Sequence, residues 1–251
     1  MSEDLILQTR GLTKEFKGFA AVQNVDLKVK RGNIHALIGP NGAGKTTVFN
    51  CLTGFYQPTS GSVRFQGEEV SGLPGFRIAR KGMVRTFQIN QLFDSMTPLQ
   101  TLALVVSQRS GLGRRWWSSL GHNAQVAQRC EELLIKFHLA EVMNQRTREL
   151  AYGKRRLLEI AIALACEPRV LLLDEPVAGV PAGEREELLQ TVADLPADVS
   201  VLLIEHDMGV VMDLSDRVVV MDYGKKIGDG PPDEVRNNQA VIDAYLGVAH
   251  D

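Results

Sequence analysis

The sequence predicts an α/β fold with a mostly parallel central sheet, an antiparallel β piece near the N-terminus and a helical insert. Three observations predict it. Short β-type runs alternate with helical patterns through the second half of the chain, as when each strand is followed by a crossover helix. Two of those runs, "RVLLLDE" and "VSVLLIE", are continuously apolar, the pattern of strands covered on both faces. A glycine-rich stretch, "GPNGAGKTT", joins the apolar run "IHALI" to "VFNCL", which keeps an apolar face at helical spacing.

In chain order, "LILQT", "VDLKV", "IHALIG", "SVRF" and "MVRTF" read as the first strands. The early ones alternate more and carry turn signals such as Pro58-Thr59-Ser60-Gly61, which suits an antiparallel edge piece. Between Thr97 and Cys166 the character changes: "TPLQTLALVV", "NAQVAQRCEELLIKFHL" and "GKRRLLEIAIALAC" all have helical spacing, with no clear strand. "VLLLDE", "VSVLLIE" and "DRVVVM" then return to the sheet. No repeat, low-complexity tract or long heptad run interrupts this order.

With 251 residues the chain can bury a sizeable core. Its 28 basic and 30 acidic side chains give a formal charge of −2, so the global balance does not point to nucleic acid as a partner. The cysteines, Cys51, Cys130 and Cys166, are odd in number and form no C-x-x-C pair, and are expected to be reduced thiols of a cytosolic protein. "MSEDLILQTR" has acidic residues where a secretion signal has basic ones. No run approaches the roughly 18 apolar residues of a membrane helix, so the chain is expected to be soluble by itself.

The stretch Gly39, Pro40, Asn41, Gly42, Ala43, Gly44, Lys45, Thr46 and Thr47 fits G-x-x-x-x-G-K-[ST] between a strand and a helix. Glycines let the chain fold back with several N–H groups aimed at one spot, and the helix start adds its positive dipole end. Lys45 suits the outer phosphates and the Thr46 hydroxyl suits Mg²⁺, so the stretch reads as a site for ATP or a related triphosphate.

A phosphate cradle alone does not say what happens to the phosphate. A bound Mg²⁺ wants a carboxylate at the end of a neighbouring buried strand, and "VLLLDEP" supplies Asp174. Glu175 follows, placed to take a proton from an attacking water. Acidic residues also simply end strands, but the upstream cradle turns this pair into a functional candidate. "LLIEHDM" presents His206, which could hydrogen-bond the γ-phosphate, and "RTFQ" presents Gln88, whose amide could orient water or touch Mg²⁺. Taken alone, either one is more often an ordinary polar residue.

Taken together and in order, these segments resemble the nucleotide-binding subunit of an ABC transporter, a P-loop NTPase. "GPNGAGKTT" is similar to its Walker A, Gln88 to its Q-loop, "LAYGK" (residues 150–154) to its LSGGQ-type signature, "VLLLDEP" to its Walker B and His206 to its switch histidine. More narrowly, "RTFQINQLF", "RRLLEIAIAL", "LLIEHDM" and "EVRNNQAVIDAYLG" resemble the ATP-binding subunits of branched-chain amino acid importers. The resemblance implies one nucleotide-binding domain over residues 1–251. Its core, with the β piece, covers 1–95 and 167–251, and its helical subdomain covers 96–166.

It also implies a head-to-tail pairing of two ATP-binding subunits, identical or not, each ATP lying between the cradle of one and the signature of the other. Membrane permease subunits, an external solute-binding protein acting indirectly, and a place on the cytoplasmic face of the plasma membrane follow from the same resemblance. So does stacking of adenine on Phe16, although a phenylalanine there is equally a core residue. The alternative class is a non-transport ABC ATPase acting on nucleic acid, ribosomes or a scaffold. The long coiled-coil insert and the doubled domain typical of such relatives are both missing from the sequence.

The signature departs from the family pattern. Ala151 stands where a serine usually caps the helix and donates to the γ-phosphate, leaving the backbone N–H groups of Ala151 and Gly153 to face it. Lys154 stands for the usual Gln and is expected to restore some attraction. Pro181 replaces the usual Asn or Asp after Walker B, which removes a polar contact and a backbone donor. The stretch "GLGRRWWSSLGHN", residues 111–123, reads as a contact to the membrane partner or lipid headgroups, as a surface loop with Trp116 or Trp117 packed on the helices, or, more rarely, as a nucleic-acid contact through aromatic stacking.

Overall fold

The computed structural model describes residues 4–86, 94–109 and 124–246. Gln88 and the 111–123 stretch lie outside them. The described residues form two compact units. The first takes the chain up to Arg85, then Arg169–Glu175 and everything from Pro196; the second takes 86–168 and 176–195. The helical unit is thus wider than the 96–166 expected, because 176–195 packs with it.

In the first unit, the described residues form two sheets. β1 (Leu5–Phe16), β2 (Phe19–Val25), β3 (Lys28–Lys30), β5 (Ser60–Phe65) and β6 (Glu68–Glu69) make the antiparallel one, ordered β2-β1-β5-β6 with β3 also on β1. The other contains β4 (Ile34–Ile38), β7 (Met83–Arg85), β8 (Val170–Asp174), β9 (Ser200–Ile204), β10 (Arg217–Asp222) and β11 (Lys225–Gly230), ordered β11-β10-β4-β9-β8-β7. All its pairings are parallel except the β10–β11 hairpin. β8 and β9 are almost wholly buried, as their unbroken apolar runs require. Helix α1 (Lys45–Leu52) sends Val48, Phe49 and Leu52 into the core, and α2 (Gly75–Lys81) adds Ile78. β2 and β11 were not expected from the sequence. Gly and Lys dominate β11, and its pairing with β10, not its own propensity, makes it a strand.

In the second unit, α3 (Pro98–Arg109) packs against α4 (Ala124–Lys136) and α5 (Tyr152–Ala165), and α5 also meets α6 (Ala182–Ala193). α5 is buried on nearly every face, which explains its "LLEIAIALA" run. Its two buried charges, Arg156 and Glu159, pair with each other at 2.8 Å. Cys51 and Cys130 are buried free thiols that burial pushes up to about 11, and Cys166 is a half-buried free one. Among the described residues no helix is long and apolar enough to cross a membrane.

His35 lies buried in β4 beside Arg217 of β10, with Lys30, Asp216 and Asp229 as the other nearby charges. Its Nε2 accepts the Lys30 N–H at 3.2 Å. Burial first, and the Arg217 charge second, lower its pKa from 6.5 to about 4, while Asp216 and Asp229 pull weakly the other way. The folded imidazole therefore stays neutral where the unfolded one takes a proton. That stability is complete above pH 6.5 and is lost as the pH falls toward 4, by on the order of 3 kcal/mol. In Gln at position 35, which keeps an acceptor and does not titrate, the loss of melting temperature between pH 6.5 and 4 is expected to be smaller than in the wild type; equal slopes in a thermal-melting series would contradict this.

Candidate functional site

Parallel register brings the site together. Leu37 of β4 stands opposite Ile204 of β9, and Ile204 stands opposite Asp174 of β8. The three strands therefore end on one row, and the residues that follow, the 39–47 loop, Glu205-His206 and Glu175, leave the sheet at the same carboxyl edge. That edge is where ligands bind in open α/β sheets.

The loop is built for close backbone approach. Gly39 has φ +147°, and a Cβ there would lie 2.0 Å from the Met221 carbonyl oxygen. Gly44, the residue that opens α1, has φ +98°, and its Cβ would lie 2.5 Å from the Ala21 carbonyl oxygen. Only glycine suits either position. Lys45 is buried, its Nζ donating to the carbonyls of Gly39 at 2.6 Å and Pro40 at 2.9 Å. Burial lowers its pKa, against the pull of Glu175 and then Asp174, so both carboxylates act on the same ammonium. Thr46 is exposed at the first turn of α1 and Thr47 half-buried beside it.

Two braces on this loop come from far along the chain, and sequence reading missed both. The Gly224 N–H of the β10–β11 turn donates to the Ala43 carbonyl at 3.1 Å, while the Gly224 carbonyl accepts from Gln23 at 2.8 Å. Tyr245, in the helix Gln239–Leu246, has its hydroxyl hydrogen-bonded to the Gly39 backbone, and burial pushes its pKa up to about 12.

Asp174 is paired with Arg85, a residue the sequence had not singled out. Arg85 lies opposite Leu172, two residues before Asp174 on the same face of β8, so its guanidinium reaches the carboxylate diagonally. The same group donates to Asn50 Oδ1 at 2.6 Å and lies over the Phe49 ring. Glu175 has φ +47°, the left-handed region, with its N–H on the Ile204 carbonyl at 2.9 Å. This turns its side chain toward His206, whose Nε2 is 2.6 Å from Glu175 Oε1. A carboxylate only accepts, so Nε2 carries the hydrogen. His206 is held in place by the next residue: Asp207 caps α7 (Met208–Leu214), accepting from the Gly209 and Val210 N–H groups.

Phe16 is 39% exposed and meets Tyr56 edge-on at 5.1 Å, with Lys14 over both rings, so it is neither a core residue nor a free one.

The signature-like stretch is described within its own unit. Ala151 stands at the N-cap of α5 with no side-chain cap bond, as its missing hydroxyl requires. The Gly153 N–H is not left facing outward: it donates to Glu184 Oε2 of α6 at 2.7 Å. Lys154 Nζ is on Glu187, at 2.9 and 3.1 Å from its two oxygens. Both groups expected to draw a phosphate are thus engaged internally, which no local pattern signals because the partners lie some thirty residues away. Pro181 is the N-cap of α6, where its carbonyl accepts the N–H groups of Glu184 and Arg185.

The residues present fit a triphosphate with its magnesium. The cradle is backbone N–H, lysine and hydroxyl, the neighbouring carboxylates are oxygen ligands, and no cluster of three or more His, Cys, Asp or Glu among the described residues forms an all-protein metal cage. The fold and this edge define a P-loop ATPase of the cassette type. The ABC transporter family model matches residues 22–178, and a second model, the branched-chain amino acid ATP-binding cassette transporter C-terminal segment, matches 225–251. The chain belongs to the ABC transporter family. It is 46% identical to the high-affinity branched-chain amino acid transport ATP-binding protein BraF of Pseudomonas aeruginosa, covering 97% of this chain and 98% of that protein. It is 44% identical to the LivG protein of the same description from Escherichia coli K12, covering 99% and 100%. Among solved structures it is similar to the ADP conformation of an ATP-binding cassette of an ABC transporter, with TM-score 0.83 and 30% identity, over 97% of this chain and 99% of that one.

Gly44→Ala is expected to lower stability by about 1–3 kcal/mol and to weaken ATP binding, because strained backbone and the Ala21 carbonyl act together. At Gly42, where a Cβ meets nothing within 4 Å, Gly42→Ala meets only the backbone penalty of about 1–2 kcal/mol. Thermal melting and titration with a fluorescent ATP analogue check the order of the two.

Proposed function

We propose that this chain is the ATP-hydrolysing subunit of an importer for branched-chain or related amino acids. In this reading it works as one of two ATP-binding subunits under a membrane permease, at the cytoplasmic face of the membrane, with a solute-binding protein delivering the cargo on the far side. The observation that carries the reading is the meeting of Lys45, Asp174, Glu175 and His206 at one sheet edge. The names of its full-length relatives supply the cargo class.

The N–H groups of residues 39–47 and the Lys45 ammonium hold the β- and γ-phosphates. Thr46 and Asp174 would hold Mg²⁺, assisted by Gln88, and the ion would neutralise charge on the phosphate oxygens. Arg85, paired with Asp174, restrains that carboxylate. Glu175, oriented by His206, takes a proton from the water that attacks the γ-phosphorus. The P–O bond to the β-phosphate breaks, ADP leaves with that electron pair, and the products are ADP and inorganic phosphate. His206 and Gln88 place the γ-phosphate and the water, and Phe16 stacks on adenine. The signature, through Ala151 and Gly153, meets the ATP held by the other subunit.

Lys45→Ala is expected to weaken ATP binding by about 10- to 100-fold, the worth of a charge-assisted hydrogen bond. Unchanged affinity in a titration would remove the assignment. Glu175→Gln is expected to bind ATP as before and to lose turnover by a factor of about 10² to 10⁴. Wild-type phosphate release from that variant would mean another group is the base.

A further inference from the structure

Two anions already occupy the positive features of the signature. Glu184 Oε2 accepts the Gly153 N–H at 2.7 Å, and the space a Cβ on Gly153 would fill lies 2.2 Å from the same oxygen. The carboxylate sits directly on the glycine backbone. Three residues further along α6, Glu187 holds the Lys154 ammonium. Helix α5 has fourteen residues, so its start is a full-strength dipole end, and Ala151 gives it no cap of its own. The carboxylate of a neighbouring helix does that work instead.

We propose that Glu184 is a placeholder for the γ-phosphate: it caps α5 in the separate subunit and must leave the Gly153 N–H before ATP held by a second subunit can engage it. The inference rests on the reading above that the signature meets ATP across a pair of subunits. Its physical basis is exclusion. One N–H cannot serve two anions, and a carboxylate left beside a triphosphate repels it. Glu184 is therefore a positioning residue that sets how tightly ATP closes the pair, whereas the affinity of a single subunit for ATP depends on residues 39–47. Glu187 restrains Lys154 in the same way, so the lysine adds attraction only after that pair opens.

The test uses the full chain in the Glu175→Gln background, where hydrolysis does not dissolve the pair. Glu184→Gln keeps an acceptor oxygen of the same shape and removes the charge. Sedimentation with MgATP is expected to show self-association at least tenfold tighter than in the Glu175→Gln parent, because two sites exchange in each pair. ATP affinity at low protein concentration and melting temperature should stay as in the parent. Glu184→Ala, which removes the acceptor too, should speed amide hydrogen exchange at residues 152–154 without ATP. Unchanged or weaker association of Glu184→Gln, or unchanged exchange in Glu184→Ala, would overturn the placeholder while leaving the transporter reading intact. Absence of ATP-driven association in parent and variant alike, with ATP still bound, would overturn the paired-subunit reading and the placeholder with it.

Discussion

The site depends on one constraint, the parallel register that lines Leu37, Ile204 and Asp174 across β4, β9 and β8. A parallel ladder fixes its neighbours at every residue, and these strands are buried on both faces, so a slip of one position would turn apolar side chains against their covering layers. Holding the register for the sake of the core therefore also holds the ends. The 39–47 loop, Glu175 and His206 each stand one or two residues beyond that row.

At that edge the charges are arranged in opposing pairs. Lys45 is wrapped by the loop's own carbonyls and pulled by two carboxylates, and each of those has a second partner, Arg85 for Asp174 and His206 for Glu175. Adjacent residues thus acquire different tasks, since a strand directs Asp174 into the sheet and a left-handed turn swings Glu175 out of it. Before the Lys45 ammonium can serve a ligand bringing several negative charges, it must leave the loop carbonyls that hold it.

The helical unit shows the same economy with opposite sign. With Ala151 at its N-cap, the start of α5 has no side-chain acceptor of its own, and α6 supplies one through Glu184. The gap at the cap and the acidic first turns of α6 are complementary, so residues 150–154 are part of a consistent local arrangement.

Local chemistry written in consecutive residues was legible in the sequence. The loop of residues 39–47, the strand-end pair Asp174 and Glu175, and His206 after an apolar strand all stand out within a few positions of the sequence. The α/β class was legible for the same reason: "VLLLD" and "SVLLI" read as central strands, and they are. What required the tertiary structure were partnerships between distant segments. Arg85 on Asp174, Gly224 and Tyr245 on the phosphate loop, Glu184 on Gly153 and the pairing that makes β11 a strand join residues that no period or motif relates. A side chain's neighbours across a sheet or between helices are set by register and packing, which the whole chain decides at once, whereas the bend of a glycine loop is decided by the residues that compose it.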